Sequence, residues 1–306
     1  MDLLIQKIVQ KQNPTVVGLD PQWDFIPDHI KETHIVGKDD MITEVCNTIL
    51  DFNKRIISSI ADIVPAVKPN CAFYEQFGWQ GMKSLFETIE FARSKDLYVI
   101  SDGKRNDIGN TMKSYAQAYI GETKVNDYVF RAFPSDALTV NAYLGSDGVL
   151  PATELCEKYD KDIFVLVKTS NPSSGELQDK PIKCGYTLIF EQLAMMSKKW
   201  GKDLIGKSGY SSVGIVVGAT YPKQLKQLRE LLSYTFFLVP GYGAQGAGVD
   251  DIKFAFDKRG LGAIINSSRA IICAYKKHTN LSFEEACYEE ALRMKNEIID
   301  VIGKIG

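Results

Sequence analysis

The chain has 306 residues, 45% hydrophobic and 24% charged, enough to bury a sizeable core as one large α/β domain or two smaller ones. A formal net charge of −2 and a pI near 6.0 exclude a global field for nucleic acid or an anionic membrane, so an anionic ligand needs a local cationic pocket. No stretch approaches the roughly 20 apolar residues of a membrane span, and the start, MDLLIQKIVQKQNP, lacks the apolar core and cleavage site of a signal peptide. A cytoplasmic protein with a small-molecule partner is expected.

Short β-branched runs alternate with segments of helical period, the pattern of parallel strands joined by crossover helices. The runs fall at 15–19, 66–69, 98–102, 137–140, 164–168, 214–217, 236–239 and 263–266. None alternates with polar residues, as expected of strands buried on both faces, and eight of them predict a closed (β/α)8 TIM barrel. Between them, Leu85, Ile89 and Ala92 share one helix face, Pro222 suits a first turn, and Ser282 with Glu285 fits a capping box before the last helix. No linker or repeat divides the chain, so residues 1–306 read as one barrel domain with two long polar excursions, 20–41 and 173–185.

Cys46, Cys71, Cys156, Cys184, Cys273 and Cys287 lie far apart without a CxxC pair and read as reduced core thiols. His29, His34 and His278 are not spaced for a metal site, and the two in the first excursion are expected in solvent. No metal and no cofactor are expected.

In such a barrel the active site lies where the strands end. Polar residues collect there: Asp20 after the first run, Lys68 and Asn70 at the second, Asp102 and Lys104 at the third, Ser170 after the fifth, a Gly-rich loop after Pro240, and Arg269 after the eighth. The densest segment is Ser101-Asp102-Gly103-Lys104-Arg105-Asn106-Asp107-Ile108-Gly109-Asn110-Thr111. Asp102 and Lys104 are two apart and share one side of a strand, while Asp107 comes after its end. An Asp-x-Lys sequence alone is ordinary solvated loop. At a strand end, with Lys68 one strand away, it predicts a mouth of alternating Lys, Asp, Lys and Asp, roughly neutral overall, with each ammonium held in place to donate a proton.

Asp102-x-Lys104-x-x-Asp107-Ile108, with Lys68 at the end of the second strand, resembles the signature tetrad of the orotidine 5′-monophosphate decarboxylase family, and the chain's length resembles the longer bacterial members. The likeness extends to Val17-Gly18-Leu19-Asp20-Pro21, Lys68-Pro69-Asn70, Thr169-Ser170-Asn171-Pro172, Pro240-Gly241-Tyr242-Gly243-Ala244-Gln245-Gly246 and Arg269. It implies cofactor-free decarboxylation of orotidine monophosphate to UMP and carbon dioxide, the last step of de novo UMP synthesis. Loss of the carboxylate leaves a carbanion at C6 that is not delocalised into the ring, so the site must stabilise charge and supply a proton.

By the resemblance Lys68, Asp102, Lys104 and Asp107 are catalytic. Lys104 is the proton donor and Asp102 faces the departing carboxylate. Asp20, Lys68 and Asn70 bind ribose, Ser170 binds the pyrimidine edge, Pro240 also binds substrate, and Gln245 and Arg269 belong to the phosphate end. Asp107 and Thr111 reach into a partner's site, which implies a homodimer with shared active sites, and Ile108 is a further substrate-binding residue. One departure is Ser267-Ser268-Arg269, where many members have Gly before the Arg.

Two other readings compete. A magnesium-dependent sugar-phosphate decarboxylase or aldolase-like synthase shares Asp-x-Lys-x-x-Asp after the third strand, but needs a metal-binding Glu at the end of the second, where Lys68 would repel the cation. A phosphate-binding barrel without catalysis would have no use for a desolvated charge tetrad.

Overall fold

A computed structural model, which describes residues 1–182, 187–243 and 246–306, shows a closed parallel barrel of eight strands with helices between them. In chain order the barrel strands are β1 (Thr15–Leu19), β2 (Ala66–Pro69), β3 (Tyr98–Arg105), β6 (Ala137–Val140), β7 (Asp162–Lys168), β8 (Val213–Val217), β9 (Phe237–Pro240) and β10 (Ala263–Ser267). Each pairs with its sequence neighbours in the barrel, and β10 closes the ring on β1. The eight expected runs are these strands, three with the same bounds and five with an end shifted by one to three residues. Outside the ring, β4 (Thr123–Val125) and β5 (Tyr128–Phe130) form an antiparallel hairpin that the sequence reading missed. Its strands have three residues each and are mostly exposed, so they carry no burial pattern to detect.

Strand alternation divides the core in two. Inward side chains of Val16, Ala66, Tyr98, Ile100, Ala137, Phe164, Val216, Phe236, Leu238 and Ile264 fill the barrel together with Leu4, Ile5 and Ile8 of the helix Asp2–Lys11, which closes the floor. Outward ones, such as Val17, Val67, Val99, Val165, Ile215 and Ile265, pack against the surrounding helices. Each fully buried side chain of this size stabilises the fold by roughly 1.5–3 kcal/mol. Both faces of every strand are apolar, which is why the runs show no polar alternation.

The helix signals hold. Leu85, Ile89 and Ala92 are fully buried on Gly78–Ser94, and Pro222 begins Pro222–Leu231. Ser282 and Glu285 satisfy each other's backbone amides at the start of Phe283–Ile302. The first excursion contains a 3-10 turn, Trp23–Phe25, and the helix Asp28–His34; the second contains the 3-10 turn Pro172–Glu176. His29 is exposed, but His34 is half-buried against Asp51 at 3.2 Å. No helix among the described residues is long and apolar enough to cross a membrane.

Candidate active site

Above the apolar filling, the strand ends surround a cavity of about 790 Å³, large enough for a mononucleotide. Leu166, Val216 and Leu238 form its apolar base. Asp20, Lys68, Asn70, Asp102, Lys104, Ser170, Pro240 and Arg269 line its walls, and each was expected there. They converge because inward positions two apart continue past the apolar layer: Ala66 leads to Lys68 and Asn70, and Tyr98 and Ile100 lead to Asp102 and Lys104.

The centre is the carboxylate of Asp102. Its Oδ2 accepts from Lys68 Nζ at 2.6 Å, and its Oδ1 accepts from Lys104 Nζ at 2.6 Å and from Thr139 Oγ1 at 2.8 Å. Burial alone would raise the pKa of Asp102, but the two ammoniums and their hydrogen bonds outweigh it and hold the carboxyl well below the ordinary carboxylate range. Burial likewise disfavours charged Lys68, and Asp102 with Asp20 overcomes this, raising its pKa. Lys68 is 6% exposed and Lys104 is 47% exposed, so one ammonium is locked into the wall and the other meets the open cavity.

Lys104 holds its position through an unusual backbone. Its φ is +47°, a left-handed conformation that costs an ordinary side chain about 1–2 kcal/mol. Its amide donates to Thr139 Oγ1 at 2.9 Å, while that hydroxyl donates to Asp102. Thr139 therefore fixes both the strained backbone and the carboxylate. The sequence reading passed over Thr139, although it is the one polar residue in Ala-Leu-Thr-Val.

Asp107 stands apart from this group. Within one chain the mouth holds Lys68, Asp102 and Lys104, and the Asp107 carboxylate, beyond the end of β3, accepts from the Ile108 amide at 2.8 Å. Asp107, Ile108 and Thr111 all lie outside the cavity lining; Ile108 is 53% exposed and Thr111 is exposed.

On the β1 and β10 side of the mouth, Oδ1 of Asp20 and Oδ1 of Asn266 are buried without a hydrogen-bond partner among the described residues. Both residues line the cavity. A buried acceptor left unmade costs about 1–3 kcal/mol, which a ligand carrying hydroxyl or N–H donors would recover. Asn266 was not foreseen; its signal is a lone polar residue closing the run Ala-Ile-Ile-Asn. Asn70 lines the cavity while its Oδ1 accepts from the Ala72 amide at 3.3 Å.

The loop after β9 has positive φ at Gly241, Gly243 and Gly246, which glycine adopts freely. Tyr242 lines the cavity and anchors the loop by donating to Glu297 Oε2 at 2.6 Å. Gln245 lies outside the described residues, as does Cys184. Ser268, which replaces the frequent glycine before Arg269, is accommodated by Gly18: a β-carbon at 18 would stand 1.8 Å from Ser268 Oγ. The space that Ser268 requires is therefore supplied from the neighbouring strand.

Comparison with known proteins matches residues 15–282 to the model of the orotidine 5′-phosphate decarboxylase / HUMPS family. The chain belongs to this family. It is 42% identical to the orotidine 5′-phosphate decarboxylase of Caldicellulosiruptor bescii over 97% of each chain. It is also 42% identical to that of Rhodopirellula baltica, covering 94% of this chain and 92% of the relative. Among solved structures, Leishmania donovani OMP decarboxylase aligns with a TM-score of 0.73 at 27% identity, over 98% of this chain and 97% of the other. The protein is accordingly a carboxy-lyase acting on orotidine 5′-phosphate. The ammonium of Lys68, 2.6 Å from Asp102, stands where the magnesium-dependent reading requires an anionic ligand.

Proposed function

We propose that the nucleotide lies across the mouth with its phosphate at Arg269 and the Gly-rich loop, Gln245 included, its ribose hydroxyls on Asp20, Lys68 and Asn70, and its pyrimidine against Ser170 and Pro240. In this reading the bond from C6 to the carboxylate breaks, its electron pair stays on C6, and carbon dioxide departs from beside Asp102. Lys104 then gives a proton to C6, forming UMP, and recovers one from solvent. The observation that carries this assignment is Asp102 bridging Lys68 and Lys104, because it fixes an ammonium at an open cavity face without desolvating it.

The same reading places Asp107, Ile108 and Thr111 in the site of a second copy. Their outward position supports it. So does the apolar surface that follows them, with Tyr128 78% and Tyr143 75% exposed, and Val129, Phe130 and Leu144 also exposed. The five described cysteines are free, which accords with a cytoplasmic setting.

The assay is the loss of orotidine monophosphate absorbance on adding purified protein treated with EDTA. Conversion to UMP supports substrate, reaction and metal independence together. Inactivity that magnesium and a sugar phosphate relieve would transfer the chain to the magnesium-dependent reading.

A further inference from the structure

The second excursion is fastened to the barrel mouth by a buried lysine. Along β7, Phe164 and Leu166 face inward, and simple alternation would send Lys168 into the cavity beside them. The register against β8 slips at this point: Leu166 pairs with inward Val216, whereas Lys168 pairs with outward Val217. The bulge turns Lys168 away from the cavity, the re-aiming that such irregularities provide beside active sites.

Outside the cavity the Lys168 side chain is 0% exposed. Its Nζ donates to Asp179 Oδ1 at 2.8 Å, Asp179 Oδ2 at 2.9 Å and Ser174 Oγ at 3.1 Å, and lies 4.2 Å from the centre of the Tyr221 ring. The Tyr221 hydroxyl is 2.9 Å from Ser174 Oγ and donates to the Asn171 carbonyl at 3.3 Å. Gly175 leaves the room this requires, since a β-carbon there would come within 2.9 Å of Asp179 Oδ2.

Between this lysine and Pro172 stand Thr169, Ser170 and Asn171, which form one wall of the cavity. The wall is held from both sides. The Thr169 amide donates to Gln178 Oε1 at 2.9 Å, and Gln178 Nε2 donates to Thr169 Oγ1 at 2.8 Å. Across from it, the Ser170 backbone rests on Gly218, where a β-carbon would come 2.7 Å from Ser170 Cα.

We propose that Lys168 is a positioning residue of the active site, and that its ion pair with Asp179 presses residues 171–179 onto the barrel so that Ser170 is held at the pyrimidine edge. This rests on the proposed placement of the pyrimidine at Ser170. A buried ammonium that loses its partners is strongly unfavourable, so the pair has one low-energy arrangement and transmits it to the adjoining wall.

The test combines kinetics with a local probe, using Lys168→Met, Ser170→Ala and the double variant. Methionine keeps the buried stem without the charge, and Asp179, 39% exposed, remains solvated. With fold verified by circular dichroism, Lys168→Met is expected to lower kcat/KM for orotidine monophosphate by about 10- to 100-fold. In the Ser170→Ala background the same change should cost less than about threefold, because the residue being positioned is already absent. Equal losses in both backgrounds, or no loss in either, would overturn the proposal.

Hydrogen exchange separates this outcome from failure of the functional reading. If the unaltered protein does not turn over orotidine monophosphate, that reading fails, and the Thr169 amide still decides the latch. Faster exchange there in Lys168→Met supports it, and unchanged exchange refutes it. Should Lys168→Met not fold, Asp179→Asn is measured in the same way, with the same two outcomes.

Discussion

Lys68, on β2, and Asp102, on β3, meet at 2.6 Å inside the barrel mouth with side-chain exposures of 6% and 10%. The pair takes one carboxylate oxygen and leaves the other for Lys104 and Thr139. Because both partners are buried, Asp102→Asn should destabilise the protein by about 3–5 kcal/mol at neutral pH by stranding the Lys68 charge, measured by urea denaturation.

The same pair has a pH signature. The folded-state pKa of Asp102 is depressed below its ordinary value of 3.8, so the carboxylate adds stability above that value and the contribution fades as pH falls through it toward the folded pKa. The stability gap between the unaltered protein and Asp102→Asn should therefore stay wide down to about pH 5 and narrow below about pH 4. A gap that does not change with pH would show that the ion pair is not its source.

Lys104→Ala should lower decarboxylation by about 10³-fold or more while the melting temperature changes little, since Lys104 is half-exposed and its backbone hydrogen bond survives. Activity within tenfold of normal would remove Lys104 as the proton donor. Arg269→Ala should reduce kcat/KM by about 10- to 100-fold for the nucleotide, with a much smaller effect on phosphate-free orotidine. Equal effects on both compounds would take Arg269 out of the phosphate end.

Asp107 allows a test of the shared site. Lys104→Ala and Asp107→Ala proteins should each be nearly inactive alone. If they are mixed and allowed to exchange subunits, about one site in four should become intact, because half the dimers are mixed and each of these restores one of its two sites. Mixtures no more active than their components would mean that each chain completes its own site.

Gly18 and Ser268 compete for one volume. Gly18→Ala should cost about 1–3 kcal/mol and weaken nucleotide binding, and Ser268→Gly should relieve both effects. Additive losses in the double variant would show that the clash is not the cause.

The barrel was legible because each strand is buried on both faces, which leaves uninterrupted apolar runs, and because the polar residues cluster where those runs stop. Lys68, Asp102 and Lys104 could be grouped from a period of two and adjacency of strands. Asp107 could not, since strand periodicity gives no direction once the strand has ended. Thr139 and Asn266 were hidden as single polar residues inside apolar strands, a position also occupied by satisfied core hydroxyls and amides. Lys168 would have been misassigned, because the bulge that reverses its direction leaves no mark in the sequence. The hairpin at 123–130 carries no core and so had no pattern.

The helix Asp2–Lys11, with Tyr98, Phe164 and Phe236 above it, makes the barrel a vessel with one opening. On the proposed placement of the nucleotide, orotidine monophosphate, carbon dioxide and UMP all pass through that mouth. Substrate entry and product exit are then coupled, because both use the same opening.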